Sequence, residues 1–204
     1  MDFIAVLEYE QLDNGLFLTA FARSLAKRKN RGIVLHGDSE YTDRLIQTGM
    51  MREDARIRAI KDLNHRLIAL FADQGISAIG LNGYQKSIFS IHKDELVINK
   101  PVIDALPDQT MLVLSNLAEN SGSGKPVPVA MSQLSEKLKG LYSVDEVTVF
   151  SIHEASDVIK NELPIRALAN SLKDDVRSKH LPEGFKKSDT SILLTTADAF
   201  GLQD

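Results

Sequence analysis

Apolar and polar positions along the chain fall into blocks that predict strands and helices in alternation. Residues 3–9, FIAVLEY, form a nearly unbroken apolar run, as a buried strand requires. Asp13-Asn14-Gly15 is a turn signal. Phe17, Phe21 and Leu25 then recur every fourth residue, which places them on one helix face. That helix closes on Lys27, Arg28 and Lys29, charges favoured at a helix C-terminus. GIVLH (32–36) predicts a second strand, Gly37-Asp38-Ser39 a turn, and the following residues a helix to about Thr48. The longest helical pattern covers 52–74, with Ile57, Ile60, Leu63, Leu67 and Phe71 sharing a face and Gly75 as the stop.

The second half reads similarly. ISAIGL (76–81) predicts a strand ending at Asn82-Gly83. Residues 86–91 and 95–98 predict a hairpin turning at His92-Lys93-Asp94. VIDAL (102–106) predicts a short helix and TMLVLS (110–115) a buried strand. ENSGSGKPVP (119–128) predicts a flexible loop at a boundary between lobes. Leu134, Leu138 and Leu141 mark a helix, and EVTVFSI (146–152) a strand. A further helix is expected from Pro164, with Ile165, Leu168, Leu172 and Val176 as its apolar face. Residues 181–190 read as irregular, and SILLTT (191–196) as a last strand. The alternation predicts an α/β fold, a three-layer αβα sandwich with a mainly parallel sheet.

Composition narrows the function classes. The 204 residues are 43% hydrophobic, enough for a single globular domain. The formal net charge of −4 gives no basic footprint for nucleic acid or an anionic membrane. With no Cys, thiolate catalysis, disulfides and Cys-based metal sites are excluded. No apolar run approaches the roughly 20 residues of a bilayer span, and the acidic N-terminus is unlike a signal peptide. A cytoplasmic protein is expected.

Local motifs add little by themselves. Gly122-Ser123-Gly124-Lys125 resembles part of a phosphate loop, but Glu119 stands at the first glycine position and Pro126 at the hydroxyl position. No G-x-G-x-x-G follows a strand. His36, His65, His92, His153 and His180 show no metal-ligand spacing, so no metal is expected. The turn His36-Gly37-Asp38-Ser39 lies between a strand and a helix, where backbone N–H groups can face an anion. Read without further context, it is a tight turn with Asp38 or Ser39 as helix cap.

The order of these pieces resembles the amino acid kinase family, most closely its acetylglutamate-kinase-like branch. GIVLHGDS (32–39) is similar to the family's strand, histidine and glycines, and Arg52 to an arginine opening its long helix. The run from Asn64 through Asp73-Gln74-Gly75 to Asn82-Gly83 is similar throughout, and Asn99 before VIDAL matches an asparagine opening a short helix. The resemblance covers roughly residues 1–155. It implies a substrate-side half over 1–118 and a reduced nucleotide-side half over 119–204. It also implies a small amino acid or acyl-amino-acid ligand held by Arg52, Asn82 and Gly83, a phosphate-loop remnant at His36, Gly37, Asp38 and Ser39, and a homodimer formed through helix 52–74.

The departures bear on catalysis. Family enzymes carry a lysine on the first strand to steady the transferring phosphoryl group, whereas the first lysine here is Lys27. Glu8-Tyr9-Glu10 stands where the family has glycines, Asp38 and Ser39 replace later glycines, and Met131 falls where an aspartate organises the catalytic lysines. The resemblance therefore implies a degenerate enzyme, with catalytic residues unassigned. Two alternatives stay open: an active N-acyl-amino-acid kinase using Mg-ATP, with Lys125, Lys160 or Lys173 supplying the charge, and a non-catalytic structural or regulatory subunit.

Overall fold

The computed structural model describes residues 1–28, 30–152, 166–188 and 190–201. Its frame is a seven-stranded sheet. In sequence order the strands are β1 (Phe3–Leu7), β2 (Gly32–His36), β3 (Ala78–Asn82), β6 (Met111–Ser115), β9 (Val147–Phe150), β10 (Arg166–Leu168) and β11 (Ile192–Thr195). In space the order is β10-β11-β9-β1-β2-β6-β3, and every pairing is parallel except β10 with β11. Both faces of β1 and β2 are buried, as in parallel sheets covered on two sides.

Alternation along the strands decides which side chains go to which layer. On one face, Phe3, Ala5, Leu7, Val34 and Val113 meet helices α2 (Gly15–Lys27) and α4 (Arg52–Asp73). Phe17, Phe21 and Leu25 supply the α2 stripe, and Leu63, Leu67 and Phe71 that of α4. On the other face, Ile4, Val6, Ile33, Leu35, Val147 and Val149 meet Leu134 and Leu138 of α6 (Met131–Tyr142) and a second, smaller sheet. Asn14 caps α2, its Oδ1 accepting from Phe17 N at 3.1 Å. Helix α4 stops at Gly75, whose φ of +73° suits glycine.

The smaller sheet comprises β4 (Phe89–His92), β5 (Glu95–Ile98), β7 (Leu117–Asn120) and β8 (Pro126–Pro128), in the order β5-β4-β7-β8. Three sequence expectations are corrected here. The stretch 119–128 is a β-hairpin, not a flexible loop. Val129 N donates to Asn116 O and Asn120 N to Lys125 O, both at 2.9 Å, so the alternate positions Pro126 and Pro128 fall on sites that need no donor. The first strand ends at Leu7, and Tyr9–Leu12 form a short helix, α1. The helix expected from Pro164 through Val176 is instead β10, a 3₁₀ turn over Ala169–Ser171, and α7 (Asp174–His180) from Asp174 onward; its start lies outside the described residues. Two more helices, α3 (Tyr41–Gln47) and α5 (Lys100–Asp104), complete the fold, the latter two residues earlier than expected.

Among the described residues, no helix is long and apolar enough to cross a membrane.

Candidate functional site

The C-terminal ends of the parallel strands bring the chemistry-bearing residues to one edge, where ligands of open α/β sheets gather. Chain order leaves β1 toward β2 on one side and returns to β9 on the other, so the switch point lies between β1 and β9. In this chain that crevice is plugged. Gln11, from α1, is 3% exposed. Its Nε2 donates to Phe150 O at 3.0 Å, and its Oε1 accepts from Glu8 N at 2.7 Å. Glu8 itself is largely buried at the end of β1. Burial, reinforced by the charge of Glu10, pushes its carboxyl from 4.5 up to about 7.

The ends of β2, β6 and β3 form an interlocked polar cluster. His36 is fully buried. Asn64, from the core face of α4, places its Nδ2 2.9 Å from His36 Nε2 and also donates to Val113 O at 3.2 Å. Since the amide nitrogen only donates, His36 Nε2 accepts and the ring proton sits on Nδ1, which faces Gly37 O at 3.4 Å. Burial holds the imidazole down at about 4, so it is neutral near pH 7. Gly80 makes room for this arrangement, because an added Cβ would lie 2.3 Å from Asn64 Oδ1. Asn116, 3% exposed, donates through Nδ2 to Val129 O at 2.7 Å and leaves its Oδ1 buried without a partner.

The turn after His36 is organised around its own carboxylate. Asp38 Oδ1 accepts from Ser39 N at 2.8 Å and from Thr42 Oγ1. Asp38 Oδ2 lies 3.1 Å from Arg56 Nε. The turn before α3, the Thr42 hydroxyl and the Arg56 guanidinium thus already hold the Asp38 carboxylate. Outside this pair opens a cleft of about 470 Å³ lined by Asp38, Thr42, Arg52, Glu53, Arg56 and Pro128. Arg52 is 77% exposed there, 3.9 Å from Asp43.

The sequence-predicted site residues separate into two groups. Arg52 and Asp38 share the cleft, with Gly37 and Ser39 in the turn behind it. His36 points into the protein rather than toward a ligand. Asn82 and Gly83 do not line the cleft. Asn82 Oδ1 accepts from Ser115 Oγ at 3.0 Å, and an added Cβ at Gly83 would lie 2.0 Å from the Phe89 ring. Met131 opens α6 as a packed core residue, its Cγ 3.7 Å from an ideal Cβ at Gly37. Lys125 is exposed at the hairpin turn and Lys173 just before α7, while Lys160 and His153 lie outside the described residues. Arg56, Gln11 and Asn116 were missed, and Asn64 was noted only as the start of the run similar to the family, without a role. Asn64 has a signal, a polar residue inside the otherwise apolar face of α4. Ser151 and His180 were also missed; Ser151 Oγ lies 2.9 Å from His180 Nδ1, both buried at the end of β9. Among the described residues, no group of acidic and histidine side chains could hold a metal ion.

The fold matches known structures across nearly its whole length. An isopentenyl phosphate kinase in substrate complex is 12% identical with a TM-score of 0.58, covering 97% of this chain and 92% of its own. The product complex of isopentenyl phosphate kinase from T. acidophilum is 11% identical at a TM-score of 0.56, covering 98% and 93%. Aspartate kinase from Synechocystis is 10% identical at 0.60 over 74% of this chain, which spans 28% of that longer one. These are amino acid kinase family members, and the chain is similar to them in fold. No family model matches the sequence, and no curated protein matches it either.

Proposed function

We propose that this chain binds a small amino acid or acyl-amino-acid carboxylate in the Arg52–Arg56 cleft and has lost phosphoryl transfer. One observation carries the reading. Asp38, in the turn between β2 and α3, accepts from Ser39 N and Thr42 Oγ1 and is paired with Arg56. A nucleotide phosphate approaching there meets a carboxylate instead of a cradle of free N–H groups. The Gln11 plug and the buried Glu8 add to the argument, since transfer needs open space and positive charge around the moving oxygens.

The cleft's mixed charges suit a zwitterion or an acyl amino acid. Arg52, exposed at the cleft, supplies a planar fork that pairs bidentately with carboxylate, Glu53 accepts from an amine or amide, and Arg56 stays paired with Asp38 and shapes the wall between them. The names of the structural neighbours, an aspartate kinase among them, favour acceptors that carry an anionic group.

Thermal unfolding with N-acetylglutamate, aspartate, related acyl amino acids and Mg-ATP tests the reading. A native-state ligand at a hundredfold excess over Kd adds about 2.7 kcal/mol of stability. A carboxylate is expected to raise the midpoint, and R52A and R56A are expected to abolish that rise. Mg-ATP is expected to leave it unchanged. ATP-dependent formation of an acyl phosphate, trapped with hydroxylamine, overturns the proposal and makes the chain an active carboxylate kinase that draws its missing charge from Lys125, Lys160 or Lys173.

A further inference from the structure

The edge of the large sheet opposite the Arg52 cleft holds a second polar cavity. Strands β2, β6 and β3 run parallel, so their N-terminal ends share that edge. The segments that enter them bring Arg31, Asp108 and Ser77 together, and the basic run that closes α2 adds Arg28. Between them lies a cavity of about 510 Å³, bordered also by Gln109 and by Gly75 just past α4. That volume is in the range of sites for small organic ligands. The length of α4 separates the two sites, since Arg52 opens it at the cleft and Gly75 follows it at the cavity.

Both guanidiniums are held in place. Arg28 lies over the rings of Phe3 and Phe200, 4.6 and 4.5 Å from their centroids, and its Nη1 donates to Phe200 O at 2.8 Å. The Arg31 side chain is 16% exposed, and it donates through Nη2 to Leu106 O at 3.0 Å and through Nη1 to Asp108 Oδ1 at 2.6 Å. Its Nε is buried without a partner. A guanidinium carries five N–H donors, and one this buried and short of acceptors calls for a further anion or water. Asp108 is a loose mate, because its side chain is 89% exposed and competes with solvent for the pairing. Among the described residues that line the cavity, Arg28 and Arg31 stand against a single acid, Asp108, so the wall is net positive. Exposed Lys27, one residue before Arg28, adds to that field.

We propose that this cavity binds a small oxyanion of two or more charges, a phosphate or polycarboxylate metabolite, between Arg28 and Arg31. Its oxygens displace Asp108 and pair with the Arg31 fork, whose planar donors match carboxylate and phosphate alike. A singly charged ion gains no more from Arg31 than Asp108 already supplies. A multiply charged one also draws on the fixed charge of Arg28. Ser77 and Gln109 donate at the rim through hydroxyl and amide. The inference does not rest on the Arg52–Arg56 cleft.

Isothermal titration calorimetry of the full chain with sodium pyrophosphate and, separately, with citrate, at fixed pH and ionic strength, tests this. Saturable binding of at least one is expected, and the tighter arm tells phosphate from carboxylate. In isotope-labelled protein, amide shifts are expected at Ser77, Asp108 and Gln109 and not at Asp38 or Glu53. R31Q is expected to bind about tenfold more weakly, the loss of one charge-assisted fork. D108N is expected to bind several-fold more tightly, because no side-chain carboxylate then competes for Arg31. Asp108 is exposed, so D108N keeps the fold even if R31Q, which loses the Leu106 contact, does not. Failure of both anions to bind saturably overturns the proposal. So does a D108N that binds no more tightly than wild type, or a set of amide shifts confined to the cleft.

Discussion

Two ionisable groups near one sheet edge, His36 fully buried and Glu8 partly so, should oppose each other across the acid range. His36 is held at about 4 against 6.5 for a free imidazole, so the folded chain binds fewer protons than the unfolded one. Its contribution is complete above pH 6.5 and is lost as pH falls toward 4. Glu8 is raised from 4.5 to about 7, so the folded chain keeps a proton that the unfolded chain releases. Its contribution is complete below pH 4.5 and is lost as pH rises through 7. Each displacement corresponds to about 3 kcal/mol, of which roughly 2 kcal/mol falls between pH 7 and 4.5. The two nearly cancel, and substitution unmasks them. Urea unfolding of wild type, H36Q and E8Q at steps across that range is the assay. Gln at 36 keeps an acceptor for Asn64, and Gln at 8 keeps the shape of the acid. Relative to wild type, H36Q should gain about 2 kcal/mol on acidification and E8Q should lose about as much. Slopes rather than absolute stabilities carry the test, so any packing cost of the variants drops out. Three parallel curves would refute the assignment of both groups as buried titrating sites.

N64A leaves His36 Nε2 without its donor and opens space beside Gly80, so it should cost roughly 2–4 kcal/mol by chemical denaturation. F200A removes a ring that packs 5.4 Å from the rings of Phe3, Phe21 and Phe150, and should cost about 3–5 kcal/mol.

Much of the fold was legible because period and burial agreed. The strands β1, β2 and β6 are apolar on both faces, and the stripes of α2 and α4 repeat at helical spacing. The hairpin at β7–β8 was hidden by composition: Pro, Gly and Ser normally punctuate loops, and only the pairing shows Pro126 and Pro128 on sites that need no donor. The stretch from Pro164 was misread because Leu168, Leu172 and Val176 suit a helix by spacing, while tertiary pairing draws Arg166–Leu168 onto β11. At the candidate site, the sequence pointed to the turn after His36 and to Arg52. It did not reveal that Asp38 is paired with Arg56, a contact between the turn after β2 and helix α4, 18 positions apart. It placed Asn82 beside Arg52, whereas its bond to Ser115 turns it toward β6.

The position of β1 has a consequence for synthesis. Strand β1, which precedes the other described strands in the chain, lies in the middle of the large sheet, between β2 and β9. One side of FIAVL is paired as soon as β2 emerges, but the other waits for the second half of the chain. Until then an apolar strand edge stands open on a nascent polypeptide, the kind of surface that recruits chaperones or misassembles. Truncations ahead of β9 are therefore poor probes of the cleft, because they would report on that exposed edge instead.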